Sequence, residues 1–343
     1  MILFYSDYLE GGHPEILRRL QDTNMCQTPG YGVDDFCEKA RATIKKLCGA
    51  PDADVHFLVG GTQTNATVIS SVLRPYQGVM CADTGHVNVH ETGAIEHGGH
   101  KVLPLPSEDG KVNAATVRRA LEDHFSDGSS EHIVQPGMLY ISFPTELGTL
   151  YTKQELLEIK SVCSEWDIPL FVDGARLGYG LTSGACDITL PELASIADVF
   201  YIGGTKQGAL FGEAVVIRRE SLKKDFRYLI KQGGGMLAKG RLLGIQFETL
   251  LGGGLYFDIA RNANIQAARI RDAFKAKGCE FLVDSPTNQQ FPILTEELAE
   301  RLSADFGFET WRKMDDGRVA VRFCTSWATT PEMVDALVAA VSQ

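Results

Sequence analysis

The stretch Pro169-Leu170-Phe171-Val172-Asp173-Gly174-Ala175-Arg176 is answered about thirty residues later by Val199-Phe200-Tyr201-Ile202-Gly203-Gly204-Thr205-Lys206. Each is a short apolar run that ends abruptly in glycine and charge, as a fully buried strand reads where its carboxyl end opens into a loop. The same unit recurs along the chain. Val55–Val59, Val79–Cys81, Lys101–Leu105, Met138–Ser142 and Glu213–Ile217 are further β-rich runs, and helical patterns at Ala114–Asp123, Lys153–Trp166 and Glu192–Ala197 alternate with them. That rhythm predicts βαβ units and a mostly parallel sheet, an α/β fold whose functional groups sit in loops beyond the carboxyl ends of the strands.

After Ile217 the pattern changes. Helical stretches Met236–Leu251 and Phe257–Lys277 flank Gly252-Gly253-Gly254, followed by strand Glu280–Val283, helix Glu296–Asp305, strand Arg318–Cys324 and helix Pro331–Val341. These predict a smaller C-terminal α+β domain. A chain of 343 residues exceeds the usual size of one core. The expected division is residues 1–250, with an N-terminal arm at 1–20, and residues 251–343.

The composition, 44% hydrophobic and 22% charged, is that of a soluble globular protein. A net charge of -11, without any Lys/Arg-rich run, argues against a nucleic-acid partner. No stretch is long and apolar enough to span a bilayer, so no membrane role is expected. Met1–Asp7 lacks the basic start and apolar run of a secretory leader. The eight cysteines include no Cys-x-x-Cys pair, which argues against a zinc site and a disulfide framework. A cytoplasmic location is the expectation.

Asp173 and Lys206 both emerge at strand ends. An electron-sink cofactor needs an amine that exchanges Schiff bases and an anion that keeps a ring nitrogen protonated. Lys206, between an apolar strand and Ala209-Leu210-Phe211, is placed for a lowered pKa. Taken singly, each motif also fits a structural role: an Asp173–Arg176 ion pair, and a surface lysine in a turn. A third element, Val59-Gly60-Gly61-Thr62-Gln63-Thr64-Asn65, follows a strand and opens a helix. Paired glycines, free N–H groups at a helix N-terminus and the Thr62 hydroxyl make a phosphate cradle. A capped strand-to-helix turn is the plainer alternative.

With these motifs stand Tyr5-Ser6-Asp7, Tyr31-Gly32-Val33-Asp34-Asp35, His86-Val87-Asn88-Val89-His90-Glu91-Thr92-Gly93-Ala94, Gly233-Gly234-Gly235-Met236, and Val321-Arg322-Phe323 followed by Thr325-Ser326-Trp327. In this order, almost end to end, the sequence resembles the low-specificity L-threonine aldolase group of the β-eliminating lyase family. These are fold-type I enzymes dependent on pyridoxal 5′-phosphate. The resemblance implies Lys206 as the covalent anchor, His86 over the cofactor ring and Asp173 under its nitrogen. It places Gly61, Thr62 and Thr205 around the phosphate. It assigns Ser6, Arg176 and Arg322 to the carboxylate of an amino-acid substrate, with Arg176 also near the cofactor and Tyr31 on the substrate side. Guanidinium groups suit that carboxylate by bidentate hydrogen bonding.

The implied reaction is retro-aldol cleavage of a β-hydroxy-α-amino acid, threonine or allo-threonine, to glycine and an aldehyde. Its general base is open. The loop where this group often carries a second histidine reads Ser142-Phe143-Pro144-Thr145-Glu146-Leu147-Gly148 here, leaving His86, His90, Glu146 or a water. The cluster His86, His90, His97 and His100 also raises a metal site, which no carboxylate or cysteine pattern supports. No metal is expected. The resemblance further implies a homodimer or homotetramer with active sites at the subunit interface, and makes Met236–Arg241, with Lys239 and Arg241, a candidate for reaching the neighbouring site. The rivals are another reaction on the same scaffold, β-elimination or transamination, and a non-catalytic cofactor-binding sensor.

Overall fold

The computed structural model describes residues 1–343. Its strands in chain order are β1 (Ile2–Leu3), β2 (Asp54–Leu58), β3 (Gln77–Ala82), β4 (Lys101–Leu105), β5 (Gln135–Ser142), β6 (Leu170–Asp173), β7 (Val199–Gly203), β8 (Glu213–Ile217), β9 (Glu280–Phe281), β10 (Gln289–Gln290), β11 (Pro292–Leu294), β12 (Phe306–Gly307), β13 (Glu309–Lys313) and β14 (Val319–Cys324). Seven of them form one sheet in the order β2-β8-β7-β6-β5-β3-β4. Only β8 is antiparallel, and it lies between β2 and β7. The predicted mixed, mostly parallel α/β sheet is thus what the chain forms.

Helices cover both faces, which is why these strands read as unbroken apolar runs. Alternate residues feed opposite cores. Leu170, Val172, Phe200 and Ile202 pack into one layer, while Phe171, Tyr201, Tyr140 and Val215 pack into the other. The helices are delimited by their own chemistry. Thr152 and Glu155 form a reciprocal capping box ahead of Lys153–Glu165, and Thr189 and Glu192 do the same for Leu190–Ile196. Gly174, directly after β6, tolerates no side chain, because a Cβ there would lie 1.9 Å from the Tyr201 carbonyl oxygen. The close approach it permits brings the ends of β6 and β7 together.

The helix expected from Met236 starts at Arg241. Gly240 is pressed against Gly32, where a Cβ would come within 2.4 Å of the backbone nitrogen, and the Ala238 carbonyl accepts the Tyr31 N–H. Residues 236–240 are therefore spent on a turn against the Tyr31 loop. Helix Leu255–Ala276 leads to a second sheet, in which β14 pairs with β10, β11 and β13.

The chain's first residues join this second unit. β1 runs parallel to β12, and Phe4 is buried against Phe306 and Phe323, at ring separations of 6.5 and 6.0 Å. Phe323 also meets Phe274 at 5.2 Å and Phe308 at 4.8 Å. Phe323, on β14, is thus the common contact of the N-terminal segment, helix Leu255–Ala276 and Phe308 between β12 and β13. Phe323→Ala is expected to cost about 3–5 kcal/mol of stability, by the usual penalty for a buried aromatic truncation. Urea unfolding measures it, and a loss under about 1 kcal/mol would show that the site collapses around the deletion.

Candidate active site

Loops at the carboxyl ends of β2, β5, β6 and β7 converge with the N-terminal segment on a cavity of about 260 Å3. Lys206, Asp173, His86, Gly61, Thr62, Thr205 and Arg176 all border it. Lys206 is half-buried, and its ammonium pKa is lowered by burial and by the neighbouring Arg176 guanidinium, against the attraction of Asp7 and Asp173. An adjoining cavity shares Lys206, His86, Arg176 and Glu146 and adds His90, Trp311, Glu309 and Arg322. Residues scattered over three hundred positions thus meet in one place.

Asp173 lies on the floor of the first cavity, 5% exposed. Burial would raise its pKa, but the hydroxyls of Tyr140 and Tyr201, the charge of His86 and the Ala175 N–H hold it below the usual carboxylate value. Oδ2 accepts from Tyr140 at 2.5 Å and from the Asn65 amide at 3.1 Å, and Oδ1 accepts the Ala175 N–H at 2.9 Å. Asp173 makes no pair with Arg176, which turns to Asp7 instead.

These contacts continue into a closed circuit. The Asn65 amide also donates to Glu91 Oε1 at 2.8 Å, and the same oxygen meets His86 Nδ1 at 2.8 Å. The His86 backbone N–H donates to Glu146 Oε1 at 2.9 Å. That carboxyl accepts from Ser142 at 2.6 Å, and the Ser142 and Tyr140 hydroxyls lie 3.2 Å apart, which returns to Asp173. Burial raises the pKa of Glu146, with Asp173 adding to the effect and its hydrogen bonds opposing. Paired with the buried Glu91, His86 Nδ1 carries the proton and leaves Nε2 as the acceptor. The sequence reading missed Asn65, Glu91 and Tyr140 as site residues. Asn65 and Glu91 lie inside quoted motifs, but nothing local distinguishes them from a helix residue and a loop acid.

The arginines are only partly free. Arg176 forms a buried bidentate pair with Asp7, at 2.7 and 3.1 Å, and Asn288 supports that carboxylate at 3.0 Å. Of the Arg176 protons expected to meet a substrate carboxylate, Nε and one of Nη2 are used by Asp7, which leaves those of Nη1 and the other of Nη2. Arg322 donates to Gln289 and to the Tyr5 carbonyl, pairs with Glu309 and stacks on Trp311 at 5.3 Å. Its Nε is buried without a partner. Ser6, also buried, sits between the residues that hold the two arginines, and Tyr8 rather than Ser6 borders the cavity.

Thr205, Tyr31 and Arg241 each have partners of their own in this chain. The Thr205 hydroxyl proton is committed to Glu213 Oε1 at 2.8 Å, so it is not an idle phosphate donor. Tyr31 is half-exposed in a separate recess with Arg41, Arg227 and Met236, and no single chain brings it to Lys206. Its loop conformation, with φ at +61° for Tyr31 and +73° for Gly32, carries it there. Arg241, expected to reach a neighbour, is engaged by the carbonyls of Thr23 and Cys26 in its own chain. The His86 and His90 rings lie 5.6 Å apart, with Trp311 6.3 Å from His90.

The donor set fits pyridoxal 5′-phosphate. Helix Gly61–Val72 begins at Gly60 without a side-chain cap, so its first N–H groups point unoccupied to the cavity beside Thr62. An ionised Asp173 on the floor suits a protonated ring nitrogen, and the lowered pKa of Lys206 suits a covalent anchor.

A family model described as Beta-eliminating lyase matches residues 4–305. A low specificity L-threonine aldolase from Pseudomonas sp. (strain NCIMB 10558) is 31% identical over 342 residues, 98% of this chain and 96% of the relative. Another, from Pseudomonas aeruginosa, is 30% identical over 96% of this chain and 94% of its own. A solved threonine aldolase from Leishmania major superposes with a TM-score of 0.97 at 44% identity, covering 100% of this chain and 99% of that one. Thermus thermophilus aspartate aminotransferase with maleate, at 16% identity and a TM-score of 0.73 over 99% of this chain and 90% of its own, shares the fold. With a family match from Phe4 to Asp305 and relatives alike over almost their whole length, this chain belongs to the beta-eliminating lyase family.

Proposed function

We propose that this chain is a pyridoxal-phosphate-dependent aldolase that cleaves β-hydroxy-α-amino acids of the threonine type to glycine and an aldehyde. The observation that carries the reading is the single cavity bordered by Lys206, Asp173, His86 and Arg176 and continuous with Arg322. When bound, the cofactor supplies an electron-withdrawing ring that accepts the electron pair of the breaking Cα–Cβ bond. Lys206 anchors it, Asp173 holds its ring nitrogen protonated, and the N–H groups at Gly61 and Thr62 take its phosphate.

The chain's own groups orient the substrate. The protons that Arg176 does not give to Asp7, with the Arg322 guanidinium at the edge of the adjoining cavity, would grip its carboxylate by charge-assisted hydrogen bonds and so fix its orientation. His86 Nε2 removes the proton from the β-hydroxyl, directly or through one water, and bond cleavage follows. Glu91 is the positioning residue that holds His86 in the needed tautomer. His90 and Glu146 border the same space and rank behind it: His90 lacks a comparable partner, and burial favours the neutral form of Glu146.

We further propose a cytoplasmic homodimer or homotetramer in which Tyr31 serves a neighbouring subunit's site, since its own chain leaves it away from Lys206. The division near residue 251 is retained as the boundary between the two units.

Borohydride treatment of the loaded protein is expected to fix the cofactor to Lys206 and to leave Lys206→Ala unlabelled by mass spectrometry. Labelling elsewhere would remove the anchor. With L-threonine the expected products are glycine and acetaldehyde, whereas 2-oxobutyrate and ammonia without glycine would establish elimination instead. His86→Asn should lower kcat about 10²–10⁴-fold, the usual worth of a general base. Glu91→Gln should lower kcat with little change in KM, and should add little in the His86→Asn background, since two residues acting as one unit are non-additive. Independent, additive losses would show that Glu91 does not act through His86.

A further inference from the structure

Glu213 borders the cavity and has no part in the chemistry above. It opens β8, the one antiparallel strand, where the register sets it opposite Leu58 of β2 on one side and Gly203 of β7 on the other. Just past these points β2 continues into Gly60-Gly61-Thr62 and β7 into Gly204-Thr205-Lys206. The carboxyl of Glu213 therefore lies between the two glycine-rich turns. It is 3% exposed, and it occupies donors of the second turn: Oε2 accepts the Gly204 N–H at 3.1 Å and Oε1 the Thr205 hydroxyl at 2.8 Å.

The charged and titratable groups facing it are Lys206, Asp173 on β6, Tyr201 on β7 and Tyr256 on the helix Leu255–Ala276. Burial pushes the Glu213 carboxyl up to about 8, with the two hydrogen bonds and Lys206 opposing and Asp173 adding to the rise. A phosphate ester is essentially dianionic at pH 8, because its second pKa is near 6. Two anions confined to one buried space cannot both stay ionised without a large Coulomb cost.

We propose that Glu213 is a proton-loading residue of the phosphate cradle: where its carboxyl is ionised in the empty site, seating the phosphate ester draws one proton from solvent onto it. The neutral acid then donates its O–H toward the ester, and the Thr205 hydroxyl is released to do the same. Glu213 thus holds the cradle's donors in place when no phosphate is present, then becomes a donor itself. The inference rests on the pyridoxal-phosphate reading above.

The probe is 4′-deoxypyridoxine 5′-phosphate, which lacks the aldehyde and so cannot bond to Lys206, titrated calorimetrically into the cofactor-stripped full chain in two buffers of different ionisation enthalpy. Unphosphorylated 4′-deoxypyridoxine is the control, because a proton taken by the ring is common to both and cancels. At pH 8 to 9 the phosphorylated probe is expected to take up more protons than the control, approaching one. Its affinity should fall toward tenfold per pH unit above about 8, the slope for linkage to one proton, because the free protein then loses the protonated form that binds. Glu213→Gln should bind without the extra proton and without that fall. Equal uptake for the two probes in the wild type overturns the inference even if the variant fails to fold, as does an unchanged pH slope in Glu213→Gln. If the phosphorylated probe does not bind the wild type at all, the cofactor reading falls and this inference with it, an outcome distinct from binding without proton uptake.

Discussion

A carboxylate kept ionised out of contact with water is the constraint around which this site is built. Desolvation of Asp173 works against its charge, and the protein offsets this first with the hydroxyls of Tyr140 and Tyr201 and only then with the charge of His86. Tyr140, Asn65 and the Ala175 N–H each come from a different element, so holding one charge fixes the relative positions of β5, β6 and the helix after β2. The circuit through Glu91, His86, Glu146 and Ser142 extends that constraint to the loops on the other side. A nearby guanidinium would have neutralised the anion and blunted its effect on a bound ring. Arg176 is kept from that role by Asp7.

The sheet was legible because its strands are buried on both faces, and a run such as Phe171-Val172 can be little else. Asp173 and Lys206 stood out for the same reason, as polar groups ending apolar strands. The late start of the helix at Arg241 was less accessible, since it depends on Gly240 touching Gly32, a contact between distant segments. The β9–β12 strands are two or three residues each and carry no periodicity of their own. They exist because neighbours offer edges to pair with: β14 to β10 and β11, β11 to β9, and β1 to β12.

Among the site residues, those that act through backbone position or strand-end chemistry were visible, and those that act through partners were not. Gly61 and Thr62 follow from a turn that opens a helix. Glu91 and Glu213 are acids whose meaning lies in what they touch, and sequence spacing carries no record of that. Arg176 was assigned as a ligand by resemblance, which carries no word of its partner Asp7, 169 positions away. Long-range pairing of charges is the part of a buried site that local pattern leaves unspecified.

The N-terminal segment has a consequence for how the molecule comes into being. Its carbonyl at Tyr5 holds Arg322, its Asp7 holds Arg176, and β1 is paired with β12 near the other end of the chain. Ile2–Tyr5 therefore find their partners only after residue 300, whereas Asp7 finds Arg176 in mid-chain. Synthesis allows N-terminal segments to fold first, so the anchor lysine, its carboxylate floor and Arg176 can come together in advance while Arg322 cannot. The growing chain is able to assemble a place for a cofactor before its grip on a substrate is complete.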